Sequence, residues 1–165
     1  MKIRGFEKIS LEQWLKDCDF LEKHGTELYN EFSLPTRATA HSAGYDIYST
    51  YDFTLYPGEE IKIPLGIKAY MQPDEFLMLI PRSSLGFKYY SRLANTVGVG
   101  DSDYYNNPGN EGHYWAKVRN EGKIPFTIEK GTAIVQAIFH KYLLVDGDEF
   151  SGEKRTGGLG STTKA

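Results

Sequence analysis

The sequence predicts an all-β fold, a sandwich or barrel, preceded by one short helix and followed by an irregular arm. Three observations carry this. Between Glu27 and Leu144, segments rich in β-branched and aromatic residues alternate with turn signals, among them Tyr56-Pro57-Gly58, Gln72-Pro73-Asp74, Asn107-Pro108-Gly109 and Glu121-Gly122. From Ile61 to Ala69 the apolar residues take every other position, the period of a strand with one covered face. From Phe76 to Ile80 the run is apolar throughout, which fits a strand covered on both faces or one at a subunit contact.

In chain order, residues 1–9 read as a strand or an extended arm. Leu11, Trp14, Leu15 and Cys18 then follow helical spacing, Ser10 with Gln13 has the form of a capping box, and His24-Gly25 closes a predicted helix over residues 11–23. The strand-rich region follows. Within it the stretch from Arg82 to Tyr90 loses strand alternation after Pro81 and predicts a short helix whose first amides face what precedes it. From Ser151 to Ala165 no core pattern remains and the composition is that of a flexible arm. The chain therefore divides into an N-terminal extension (1–26), a β core (27–150) and an arm (151–165), with no internal repeat and no linker separating a second domain.

At 165 residues, 40% hydrophobic and 25% charged, the chain suits one globular domain. No apolar run reaches the roughly 20 residues that span a bilayer, and the first residues lack the apolar stretch of a secretory signal, so a cytoplasmic protein is expected. Cys18 is the single cysteine, which excludes an internal disulfide and a thiolate metal cluster. A net charge of −3 argues against a protein that coats nucleic acid, though not against a small anionic ligand.

Five segments carry chemistry. Ala43-Gly44-Tyr45-Asp46-Ile47 sets a carboxylate at a strand entry. Pro81-Arg82-Ser83-Ser84-Leu85-Gly86 offers a guanidinium, two hydroxyls and helix amides, a set suited to phosphate. Gly98-Val99-Gly100-Asp101-Ser102-Asp103-Tyr104 has carboxylates at alternate positions, which on a strand share a face. In the strand following Lys130-Gly131, Gln136 interrupts an apolar run and requires a hydrogen-bonding partner or ligand. The arm contributes Arg155-Thr156-Gly157-Gly158-Leu159-Gly160-Ser161-Thr162. Taken singly, each also reads as an ordinary turn, a capped helix, a backbone-satisfied glutamine or a linker.

Together and in this order, the five segments closely resemble the five motifs of the trimeric dUTPase (dUTP diphosphatase) family. The resemblance runs from Leu34-Pro35-Thr36-Arg37-Ala38-Thr39 to the C-terminus. The extension outside it looks like those of phage, prophage or Gram-positive bacterial members. The resemblance implies a β jelly roll of the β-clip type, a homotrimer whose active sites are each shared by three subunits, and hydrolysis of dUTP to dUMP and pyrophosphate, which keeps uracil out of DNA.

Residue by residue, the resemblance makes Asp101 the base that deprotonates the water attacking the α-phosphorus, a role for which a fixed carboxylate contributes about 10² to 10⁴ in rate. Ser83 matches the serine bonded to the oxygen bridging the α- and β-phosphates. Arg82, the Ser84 amide and Gln136 would hold phosphate oxygens, with Gly86 beside them. Arg155, Gly158, Leu159, Gly160 and Ser161 of the arm would close over the bound nucleotide, Arg155 and Ser161 on its β- and γ-phosphates. Gly98 belongs to a β-hairpin whose backbone reads uracil, Asn95 adds a side-chain contact to the base, and Tyr104 packs on the deoxyribose and excludes a 2′-hydroxyl. Asp46 and Asp103 are supporting residues. Mg²⁺ is implied, held by phosphates and water rather than by a protein ligand cluster.

Some positions depart from the family pattern. Gly100 replaces a common aliphatic residue, Tyr105-Asn106 replaces a residue-plus-glycine pair, and Ala133 replaces an arginine. Leu159 stands where most members carry a phenylalanine that stacks on uracil, so His113, Tyr114 or Trp115 is expected to supply an aromatic lid. Two other readings are dCTP deamination on the same fold, which needs a glutamate beside the pyrimidine, and a regulatory role through an unidentified protein partner, for which the N-terminal helix is the free region.

Overall fold

The N-terminal strand β1 (Gly5–Lys8) pairs antiparallel with β5 (Ile67–Tyr70), so the extension is stitched to the core from its first element. The computed structural model describes residues 2–150 together with Arg155 and Gly157. Helix α1 (Leu11–Asp17) starts at Ser10, whose Oγ accepts the Gln13 N–H at 3.1 Å. Only half of the expected capping box forms, because the Gln13 side chain turns to Asp17 and the Ser10 N–H donates to Glu111. The helix also differs from the expected span. After α1 come a 3₁₀ segment (Asp19–His24) and α2 (Gly25–Glu31), so Gly25 opens a second helix instead of ending the first. The cause is close packing: the Trp14 indole N–H donates to the Gly25 carbonyl at 2.8 Å, and a Cβ on Gly25 would come within 2.9 Å of Leu15.

The core is built from β2 (Tyr45–Tyr48), β3 (Phe53–Leu55), β4 (Glu60–Pro64), β5, β6 (Glu75–Pro81), β7 (Ser91–Leu93), β8 (Gly98–Asp101), β9 (Trp115–Asn120), β10 (Phe126–Ile128) and β11 (Ala133–Lys141). All strand pairs are antiparallel. One sheet runs β2-β11-β6-β8 and a second β4-β9-β7, with β3-β10 and β1-β5 as two-stranded ribbons. The run expected as one strand from Ile61 to Ala69 is two, because Gly66 takes a left-handed backbone (φ +70) with its α-carbon against the Phe32 ring. In β6, Leu77 and Leu79 are buried while Phe76, Met78 and Ile80 are half-buried, so only one of its two apolar faces is fully covered in this chain. Between β6 and β7, α3 (Ser83–Tyr89) forms as expected and closes with Tyr90 in the left-handed region.

Candidate active site

Two clefts collect the residues singled out from the sequence. At the end of β6 the backbone stays extended through Arg82 before α3 turns away. That exit sets Arg82, Ser83 and Gly86 along one cleft with Phe87, Tyr90 and Arg92, while Ser84 lies on the exposed first turn of α3. Behind the wall, Asp46 of β2 stands in register with Gln136 of β11. The Asp46 carboxylate is buried, accepts from Gln136 Nε2 at 3.4 Å and lies 3.3 Å from Arg82 Nη2. A buried carboxylate requires such partners, and here it anchors the guanidinium at the cleft edge. Gly44 is small for a reason, since a Cβ there would lie 3.1 Å from the Gln136 side chain. Three of the five segments thus converge on one cluster.

The second cleft is lined by Leu79, Asn95, Gly98, Val99, Gly100, Asp101, Tyr104, Tyr114, Trp115 and Arg155. Its spine is β8, which alternates buried Gly98 and Gly100 with exposed Val99 and Asp101. The expected hairpin is absent among the described residues: β8 pairs with β6, then a 3₁₀ turn over Ser102–Tyr104 carries the chain away. That turn, rather than strand alternation, brings Asp101 and Asp103 together. Arg155 spans them, with Nη2 2.6 Å from Asp101 Oδ2, Nε 2.9 Å from Asp103 Oδ1, and its guanidinium 5.9 Å from the Tyr104 ring centre. In this chain Arg155, expected over phosphate, rests on the two carboxylates. Asn106, standing in the glycine's place, adopts φ 54, a conformation asparagine tolerates better than most residues. Ala133 is buried at the start of β11.

Two of the three residues expected as an aromatic lid are placed elsewhere. His113 is 0% exposed, accepts the Gly66 N–H on Nε2 at 3.0 Å and places Nδ1 2.6 Å from Asp17, so it cannot swing over a base. Tyr114, 6% exposed, forms the cleft floor beneath Gly100 rather than a cover. Trp115 lines the cleft edge, its ring capped by Lys62 Nζ at 4.0 Å. Gly158, Leu159, Gly160 and Ser161 lie outside the described residues. Burial raises the Tyr104 and Tyr114 phenols above their ordinary range, keeping both protonated.

The structure also supplies residues that sequence reasoning missed. Asp17, Glu111, Lys68 and Asn110 form a network around the 105–114 loop. No local signal could have linked Asp17 to His113, because their contact spans 96 positions of chain.

Asp101 and Ser83 line different clefts, and no residue lines both. Asp101 pairs across β6 with Phe76, at the end of that strand opposite to Arg82. At roughly 3.3 Å per residue the two stations on β6 are about 20 Å apart, too far to act on one phosphorus.

A model of the dUTPase family matches residues 30–163. The deoxyuridine 5′-triphosphate nucleotidohydrolase of Lactococcus lactis subsp. lactis is 45% identical over 164 residues, covering 98% of this chain and 99% of the relative. The crystal structure of a dUTPase from Streptococcus mutans superposes with a TM-score of 0.67 at 38% identity, covering 87% of this chain and 99% of that one. A Staphylococcus bacteriophage 80alpha dUTPase shares the fold at 16% identity and TM-score 0.64, over 93% and 99% of the two chains.

Proposed function

The chain belongs to the dUTPase family and hydrolyses dUTP to dUMP, and from that premise we propose how its two clefts divide the work. The β8 cleft receives deoxyuridine and the Arg82–Ser83 cleft receives the phosphates of a nucleotide bound mainly to another copy. The observation that carries this is the separation of Asp101 from Ser83 along β6, which leaves either cleft incomplete in one chain.

In the nucleoside cleft, β8 presents its backbone to the base at Gly98 and Gly100, Asn95 adds a side-chain amide, and Tyr104 packs on the sugar. Asp101, exposed at the rim, accepts a proton from the water that attacks the α-phosphorus. On the opposing copy Ser83 donates to the oxygen bridging the α- and β-phosphates, which takes up negative charge as pyrophosphate departs. Arg82, held by Asp46, and Gln136 orient the phosphate oxygens. Arg155 leaves Asp101 and Asp103 when the triphosphate arrives, freeing the base and meeting the phosphate charge, and Gly158, Leu159, Gly160 and Ser161 follow it over the nucleotide. No group of three or more histidine, cysteine or acidic side chains able to hold a metal occurs among the described residues. The phosphate cleft is instead walled by Arg82, Arg92 and Ser83, a donor set for phosphate oxygens rather than for a cation. This chemistry fits Mg²⁺ carried in on the triphosphate, where it would neutralise phosphate charge. We assign the enzyme to a homotrimer in the cytoplasm.

The test is pyrophosphate release from dUTP, dTTP, dCTP and UTP by the wild type and Asp101→Asn. Only dUTP should turn over efficiently, and Asp101→Asn should lower kcat by about 10² to 10⁴. Undiminished activity in that variant would remove Asp101 from the mechanism while leaving the family assignment intact. Ammonia release from dCTP would instead support the deaminase chemistry, which the comparisons do not favour.

A further inference from the structure

Residues 1–29 lie outside the stretch matched by the family model, yet three of them are bonded to the 105–114 loop that leads into the nucleoside cleft: Glu7, which accepts the Tyr105 hydroxyl at 2.7 Å, Ser10 and Asp17. Ser10 gives its N–H and its Oγ–H to the Glu111 carboxylate, at 3.0 and 2.5 Å. Asp17 at the end of α1 meets His113 Nδ1 at 2.6 Å. Because the Gly66 N–H occupies His113 Nε2, the proton of a neutral imidazole lies on Nδ1 and is donated to Asp17. Burial holds the His113 pKa below its usual value despite the opposing pull of Asp17, in keeping with the neutral ring.

Through its backbone His113 reaches a residue that lines the cleft. Its carbonyl accepts the Tyr104 hydroxyl at 2.8 Å, and Asn110 Nδ2 donates to the same hydroxyl at 2.9 Å. Gly112, at φ +82, keeps the loop tight, since a Cβ there would lie 2.5 Å from the Tyr104 carbonyl. Tyr104 in turn meets Tyr114 edge to face at 5.2 Å, and both rings line the cleft. Docking of the extension does not depend on Asp17: Trp14 is fully buried against Phe32 and Tyr29, and β1 is paired to β5. The Asp17 carboxylate therefore has a narrower task, which is to fix the His113 ring and with it the carbonyl that holds Tyr104.

We propose that Asp17 is a positioning residue for substrate selection: acting through His113, it holds the Tyr104 ring where a 2′-deoxyribose fits and a 2′-hydroxyl does not. The N-terminal extension thus belongs to the nucleoside cleft as its brace. This rests on the reading of Tyr104 as the ring that packs on the sugar.

The experiment measures kcat and KM for dUTP and UTP, with melting temperatures, in Asp17→Ala, Asp17→Asn, Tyr104→Phe and the Asp17→Ala/Tyr104→Phe double variant. Asp17→Ala should raise KM for dUTP and lower the dUTP-over-UTP preference by about tenfold each, the cost of a displaced positioning group. Its kcat should stay within about twofold, because the reacting atoms are untouched. Asp17→Asn still accepts from Nδ1–H and should recover most of the preference. Tyr104→Phe cuts the same chain at its other end, so the double variant should be little worse than either single one. The proposal is overturned if Asp17→Ala lowers the melting temperature with the preference intact, or if the two effects multiply in full. Should Asp17→Ala not fold, Tyr104→Phe decides alone, and an unchanged preference there overturns the proposal. Tyr104→Ala separates the two layers: an unaltered preference in that variant sinks the sugar-packing reading itself, whereas loss of preference there, with none in Asp17→Ala or Tyr104→Phe, sinks only the relay.

Discussion

Gly100 and Tyr114 share one volume. A Cβ on Gly100 would run into the Tyr114 hydroxyl and ring, so the glycine that replaces a common aliphatic residue is the complement of an aromatic entering from the far end of the 105–114 loop. The sequence marked Gly100 as unusual, but its partner was not legible, because the pairing depends on how the intervening loop folds back. The Tyr114 hydroxyl is also buried without a hydrogen-bond partner among the described residues. Two opposite outcomes follow in urea unfolding. Gly100→Ala forces an extra carbon into a filled space and should cost about 1–3 kcal/mol. Tyr114→Phe removes a hydroxyl with no bond to lose, so its stability should equal or exceed that of the wild type. A loss beyond about 1 kcal/mol in Tyr114→Phe would show that the hydroxyl has a partner after all.

At the scale of elements, period and punctuation were legible and contacts between distant segments were not. Alternation located β4 and β5 correctly, while the break at Gly66 depends on Phe32 arriving from α2. Helical spacing found α1, but the opening of a second helix at Gly25 depends on the Trp14 indole reaching that carbonyl. Among the candidate site residues, the Arg82–Asp46–Gln136 cluster could be anticipated as a set of motifs, whereas the Asp17–His113 pair could not, since nothing local ties one to the other. That pair joins α1 to the loop and carries a pH dependence. Burial chiefly, opposed by Asp17, lowers the folded-state pKa of His113 below its ordinary 6.5, so the unfolded chain takes up the proton first. Stability is therefore complete above pH 6.5 and declines as pH falls below it toward the folded value. For Asp17, burial raises the pKa but the bonds from His113 and Gln13 outweigh it, leaving it below 3.8, so its contribution is lost only as pH falls through that lower range. Thermal melts from about pH 7.5 to 4.5 should show a decline that starts near the ordinary imidazole pKa and is flattened in His113→Gln. An identical decline in both proteins would place the titrating group elsewhere.

The molecule as a whole carries apolar surface that one chain leaves uncovered. After β11 the run Leu143-Leu144-Val145, which the sequence places within the β core, leaves the sheet with Leu143 96% and Phe150 81% exposed, and Phe87 beside the phosphate cleft is 90% exposed. Exposed apolar groups after β11 and at a cleft edge mark a contact surface. The proposed sharing of Ser83 and Asp101 between copies requires such a surface. Leu143→Asp/Val145→Asp should therefore shift sedimentation toward monomer and abolish turnover, although neither side chain lines either cleft. Complementation then tests sharing directly. Ser83→Ala and Asp101→Asn are each expected to be nearly inactive, but in the proposed trimers, refolded from an equal mixture, some sites would draw an intact Ser83 from one copy and an intact Asp101 from another. Those sites should restore a substantial part of wild-type activity. If both functional residues served the same site from the same chain, no mixed trimer could contain a complete site, and the mixture would stay as inactive as its parents.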